Sequence, residues 1–96
     1  MWYNKKGIMD TRKIERITKG FANHRRVQIL NLLEGKPNLS GFDISDELGV
    51  DFRTVAEHLR RLSVAGLIVK RNRGRRVENA LSETGKKALK FVRTLE

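Results

Sequence analysis

No cysteine occurs anywhere in the 96 residues. The chain therefore has no disulfide framework, no thiolate metal site and no thiol nucleophile, a composition that fits a reducing compartment. Long apolar runs are missing too. No stretch approaches the roughly 18 consecutive apolar residues of a membrane-spanning helix, and Met1-Trp2-Tyr3-Asn4-Lys5-Lys6 leads into no apolar signal-peptide core. The expectation is a cytoplasmic chain with no membrane partner. Acidic residues are few: 11 Asp and Glu stand against 21 Lys and Arg, a formal charge of +10. A surface this positive recruits polyanions by releasing their counterions, which puts nucleic acid first among partners. Catalysis has little to draw on. With one tyrosine and two histidines, and no carboxylate or histidine pattern resembling an acid–base pair or an activated nucleophile, neither an enzyme nor a cofactor is expected.

What is present is patterned. Hydrophobic residues make up 39% and charged residues 33%, apolar enough to close a modest core and too patterned for a disordered tail. After a flexible N-terminal segment at 1–9, residues 10–96 read as a single domain. Asp10 can cap a helix with Ile14, Ile17 and Phe21 at helical spacing, which Gly20 weakens or ends. Asn23 can cap a second helix from His24 to Glu34, whose apolar residues Val27, Ile29, Leu30, Leu32 and Leu33 mark the central core helix, with Gly35 as its stop. Lys36-Pro37-Asn38 is a loop, and Ser40 with Asp43 resembles a capping box. The short helix that follows places Ile44 and Leu48 on one face, and Gly49 sits where a left-handed turn is needed. Asp51 can cap the next helix, in which Val55, Leu59 and Leu62 form the packing face and leave Phe52, Arg53, Ala56, Glu57 and Arg60 toward the other.

Gly66 ends that helix. Leu67-Ile68-Val69 opens a β-rich run that crosses Asn72-Arg73-Gly74-Arg75 and returns through Val77 to Leu81, a two-stranded hairpin. Ser82 can cap a last helix carrying Ala88, Leu89, Phe91, Val92 and Leu95. The class is mainly α with a small β-hairpin, in the order α-α-α-α-β-β-α.

Two short helices joined through a glycine corner, the second exposing basic and polar residues, form a unit whose second helix fits a DNA major groove about 12 Å wide. The hairpin carries Lys70, Arg71, Arg73, Arg75 and Arg76, and it can lie along the backbone or put an arginine into a minor groove. Taken alone, a basic hairpin is equally a solvated edge whose charges prevent aggregation. The order of the parts favours double-stranded DNA. The alternative is a module that binds RNA or a protein partner.

Phe21-Ala22-Asn23-His24-Arg25-Arg26-Val27-Gln28-Ile29-Leu30, Ile44-Ser45-Asp46-Glu47-Leu48-Gly49-Val50, Thr54 to Leu62, Ala65-Gly66-Leu67-Ile68 and Arg73-Gly74-Arg75-Arg76-Val77 with Leu81 to Gly85 together resemble the arsenical-resistance repressor (ArsR) family of winged helix-turn-helix regulators. The same segments also suit the multiple-antibiotic-resistance repressors. The resemblance implies a recognition helix over about Phe52 to Ala65, with Phe52, Arg53, Thr54, Ala56, Glu57 and Arg60 facing DNA and Arg71, Arg73, Arg75 and Arg76 in the wing. Arg53 is the expected base contact, because an arginine near the helix start can bind guanine in bidentate fashion. Thr54, Arg60 and the wing arginines are expected on phosphates. Glu57, where relatives commonly carry arginine, can accept from cytosine or pair with Arg53 or Arg61. The family habit is a two-fold dimer built from the terminal helices. Ile14, Ile17, Phe21, Ala88, Val92 and Leu95 could serve it or could cover the domain's own core. The family's metal responders use cysteines or acidic and histidine clusters. His24 and His58 read instead as helix-surface or core residues, and no metal is expected.

Overall fold

The structure is a computed structural model that describes residues 9–96. The expected flexible segment, apart from Met9, lies outside the described residues. Five helices and one hairpin follow in the order α1 (Thr11–Phe21), α2 (His24–Gly35), α3 (Gly41–Leu48), α4 (Phe52–Val64), β1 (Ile68–Arg73), β2 (Arg76–Leu81) and α5 (Glu83–Arg93).

Each helix starts where a short polar side chain satisfies backbone N–H groups that lack an intrahelical partner. Asp10 accepts from the Lys13 amide at 3.0 Å, and Asn23 from those of Arg25 and Arg26 at 3.0 and 3.3 Å. Ser40 and Asp43 close a reciprocal capping box at 3.1 and 3.0 Å. Asp51 takes the Arg53 and Thr54 amides, and Ser82 takes that of Gly85. Gly49, at φ +64°, makes the left-handed corner between α3 and α4.

Two helix ends differ from expectation. Helix α1 runs through Gly20 to Phe21, and Gly20 is buried where α1 meets the end of α4. A Cβ there would stand 2.4 Å from the Ala65 Cβ, so this glycine permits a close helix approach and does not stop the helix. Helix α2 likewise includes Gly35, and its C-cap is Lys36.

Strands β1 and β2 pair antiparallel, with Ile68 opposite Leu81 and Arg73 opposite Arg76. That register leaves Gly74-Arg75 as a two-residue loop. Gly74 at φ +64° occupies its first central position, as a hairpin turn that matches strand twist requires. Leu39, in the loop before α3, forms a bridge to Asn79 and ties the wing to the helical body. Ile29, Leu30, Leu33, Ile44, Val55, Leu59, Leu62, Leu67, Ile68 and Leu89 belong to one buried cluster. With Ile17 of α1 also in it, the cluster draws on all five helices and the base of the hairpin, so the outward side of α4 is fixed by a continuous core. No helix among the described residues is long and apolar enough to cross a membrane.

Candidate nucleic-acid interface

Helix α4 divides cleanly. Val55, Leu59 and Leu62 are buried, while Phe52, Arg53, Thr54, Glu57 and Arg60 are exposed and Ala56 is half-buried. The three-and-four spacing of the apolar residues produces this split. The start of α4, the start of α3 and the wing flank one groove of about 560 Å³, to which α4 contributes Phe52 and Ala56 and the wing contributes Lys70, Arg75, Arg76 and Val77. The Phe52–Ala56 side of α4 and the basic hairpin therefore share one surface.

The charges on that surface are organised. Glu57 pairs with Arg60 at 2.6 Å and Arg61 at 3.1 Å, and not with Arg53. The hydrogen bond from Arg60 holds the Glu57 carboxyl below the usual glutamate range. Arg53 and Arg75 are exposed, and among the described residues neither enters an ion pair. Thr54 donates its hydroxyl to Asp51 at 2.6 Å. This bond first, then the Arg53 and Thr54 amides, depresses the Asp51 pKa.

In the wing, Arg71, Arg73 and Arg76 converge on Glu78, at 3.7, 3.9 and 3.6 Å. Glu78 is buried, and its Oε1 accepts no hydrogen bond. Arg76 also pairs with Asp43 of α3. The hydrogen bond from the Ser40 backbone amide, followed by the one from Arg76, lowers the Asp43 pKa. The wing is thus latched to α3 by an ion pair and to the loop before α3 by the Leu39–Asn79 bridge.

Behind α4, His58 accepts a hydrogen bond at Nδ1 from Arg26 Nε at 3.3 Å. Arg26 also donates to the Lys19 and Gly20 carbonyls, so α1, α2 and α4 are joined at one point. Burial first, and the Arg26 charge second, push the His58 pKa below its ordinary value. His24 is exposed. Among the described residues there is no group of three or more His, Cys, Asp or Glu that could hold a metal ion.

Of the six apolar residues expected at a dimer interface, Ile17 and Ala88 lie in the protomer's own core, and Phe21 packs against it. Ile14 and Val92 are half-buried, and Leu95 is 70% exposed, as is neighbouring Phe91 at 57%. Sequence reasoning missed Phe42, Asp43 and Glu78 as parts of the interface. Phe42 had a readable signal, since it is an aromatic residue off the face that Ile44 and Leu48 define.

A helix-turn-helix with an outward basic second helix, followed by a latched basic hairpin, defines a winged helix DNA-binding protein. The sequence profile of the winged helix-turn-helix DNA-binding family matches residues 23–69. Solved structures agree over nearly the whole chain. The homodimeric DNA-binding domain of Mb0332 from Mycobacterium bovis, a candidate ArsR-family regulator, is 27% identical, with TM-score 0.80, over 88% of this chain and 79% of that one. HlyU from Vibrio cholerae is 30% identical, with TM-score 0.78, over 90% and 94%. An ArsR-like regulator from Rhodococcus sp. RHA1 is 25% identical, with TM-score 0.72, over 88% and 74%. Among curated proteins none matches the sequence. The chain belongs to the ArsR-like winged helix-turn-helix family of DNA-binding transcription regulators, which are not enzymes.

Proposed function

We propose that this protein is a dimeric repressor that reads an inverted-repeat site in double-stranded DNA, with α4 in the major groove and the wing on the backbone or in the adjoining minor groove. The observation that supports the reading is the groove in which Phe52 and Ala56 of α4 meet Lys70, Arg75 and Arg76 of the wing, with Arg53 and Arg75 exposed and in no ion pair among the described residues. In this reading Arg53 at the helix start meets a guanine edge, and Arg75 at the hairpin tip meets phosphates. Arg60 is committed to Glu57 in the free protein. It reaches a phosphate by turning from that surface pair, which is worth only about 0–1 kcal/mol. Repression follows the habit of the arsenical-resistance repressors that the chain resembles.

Dimerisation is supported by the homodimeric domain of Mb0332 and by the exposed apolar residues Phe91 and Leu95 at the end of α5. Two copies related by a two-fold axis would present their α4 helices about 34 Å apart, one turn of DNA. Selection from a random duplex pool, followed by mobility shifts against structured RNA, tests the assignment. The expected result is a palindromic duplex site whose affinity drops about 10³- to 10⁵-fold between 50 and 200 mM salt, as about 6–10 neutralised phosphates require. Preference for RNA, or binding indifferent to salt, would overturn it.

A further inference from the structure

Four phenylalanines occur in the chain, and two of them stand on the outer surface in contact with each other. Phe42 of α3 is 66% exposed and Phe52 of α4 is 39% exposed. Their rings stack with centroids 4.1 Å apart and planes 7° from parallel. The core does not demand this arrangement, because Ile44 and Leu48 already supply the packing face of α3. The seat is shaped for it: Gly41 lies under the Phe52 ring, and a Cβ at that position would come within 3.0 Å of its Cε1. The paired rings form one wall of the groove that Arg75 and Arg76 also line. An apolar ledge thus sits beside a cationic edge at the start of the recognition helix.

Resting on the DNA-reading assignment above, we propose that the Phe42–Phe52 pair reads the C5-methyl group of a thymine. That methyl is the one apolar group a base pair displays in the major groove, and an apolar side chain is its natural partner. It projects near the backbone of its own strand, so a ledge flanked by arginines can meet methyl and phosphates together. Two stacked rings with few rotatable bonds hold the contact surface in place before DNA arrives, which keeps the ordering cost low. Cytosine lacks the methyl, and the contact therefore separates a T·A from a C·G pair.

The test uses the full chain and its selected duplex, with each thymine replaced in turn by deoxyuridine, which removes the methyl and nothing else. One position in each half-site should lose about fourfold in affinity, the value of burying one methyl-sized group. Phe42→Ala and Phe52→Ala should erase that loss while Arg53-dependent base preference persists; a matching melting curve for Phe42→Ala shows that its fold is intact. Equal affinity for thymine and uracil at every position, a selected site without thymine, or a thymine preference that survives both variants would overturn the methyl contact and leave duplex binding standing. Absence of any duplex binding would instead remove the assignment beneath it.

Discussion

Asp51 takes two backbone amides and the Thr54 hydroxyl, so the proton of Thr54 is committed to starting α4. Arg53, one residue earlier, enters no ion pair among the described residues, and the proposed reading sets its guanidinium against a base. Replacing it should relax preference at one base position by about 1–3 kcal/mol, because a bidentate pair to guanine is lost. Arg75→Ala, at the hairpin tip, should weaken all sequences evenly and reduce the slope of log affinity against log salt by about one. Competition titrations over a set of single-base site variants separate the two patterns. His58 supplies a different signature. Its folded pKa lies below the ordinary 6.5, so the unfolded chain binds the proton first as pH falls. The stability that neutral His58 contributes is full above about pH 6.5 and is lost as pH drops from there through the depressed folded value. Melting temperatures at about pH 7.5 and 5.5 should fall more for the native protein than for His58→Gln, which keeps an acceptor for Arg26 but cannot titrate.

At the scale of elements, three glycines separate crowding from freedom. A Cβ on Gly85 would stand 2.0 Å from the Leu67 carbonyl oxygen, and one on Gly20 would stand 2.4 Å from the Ala65 Cβ, whereas Gly35 has nothing within 4 Å. Backbone yields less than a side chain. Gly85→Ala should therefore cost about 3 kcal/mol or more and Gly20→Ala about 1–3 kcal/mol. Gly35→Ala, inside a helix with open space beside it, should gain up to about 1 kcal/mol. Urea unfolding midpoints give the order directly. The same contrast explains what the sequence could disclose. All five N-caps were legible, because a cap joins residues two or three apart and its chemistry is complete within that span. The packing face of α4 and the glycine corner were legible for the same reason. Gly20 reads in the sequence as weakening or ending the helix, and its packing role is hidden because its partner, Ala65, is forty-five residues away along the chain. Glu78 and its three arginines became visible only once the hairpin register put Arg71 opposite it. The Asp43–Arg76 latch needed the wing to be folded against α3.

Across the whole molecule the apolar residues fall into two sets that sequence periodicity alone could not tell apart. Ile17 and Ala88 share helical stripes with Ile14, Val92 and Leu95 but belong to the protomer core, so a charge at either should unfold the chain. Phe91 and Leu95 lie at the end of α5 with most of their surface in water, where a charge costs the monomer little and a buried dimer contact a great deal. Phe91→Asp combined with Leu95→Asp should therefore sediment as a monomer, with an unfolding free energy that no longer depends on protein concentration. Each α4 and wing is unaltered in that variant, so affinity for a single half-site should match that of the native protein. Affinity for the full inverted repeat should fall by about 10²-fold or more, since the second half-site is no longer delivered by the first. A variant that sediments as the native protein does would move the two-fold contact away from the end of α5. Equal losses on half-site and full site would mean that the substitutions had disturbed α4 itself.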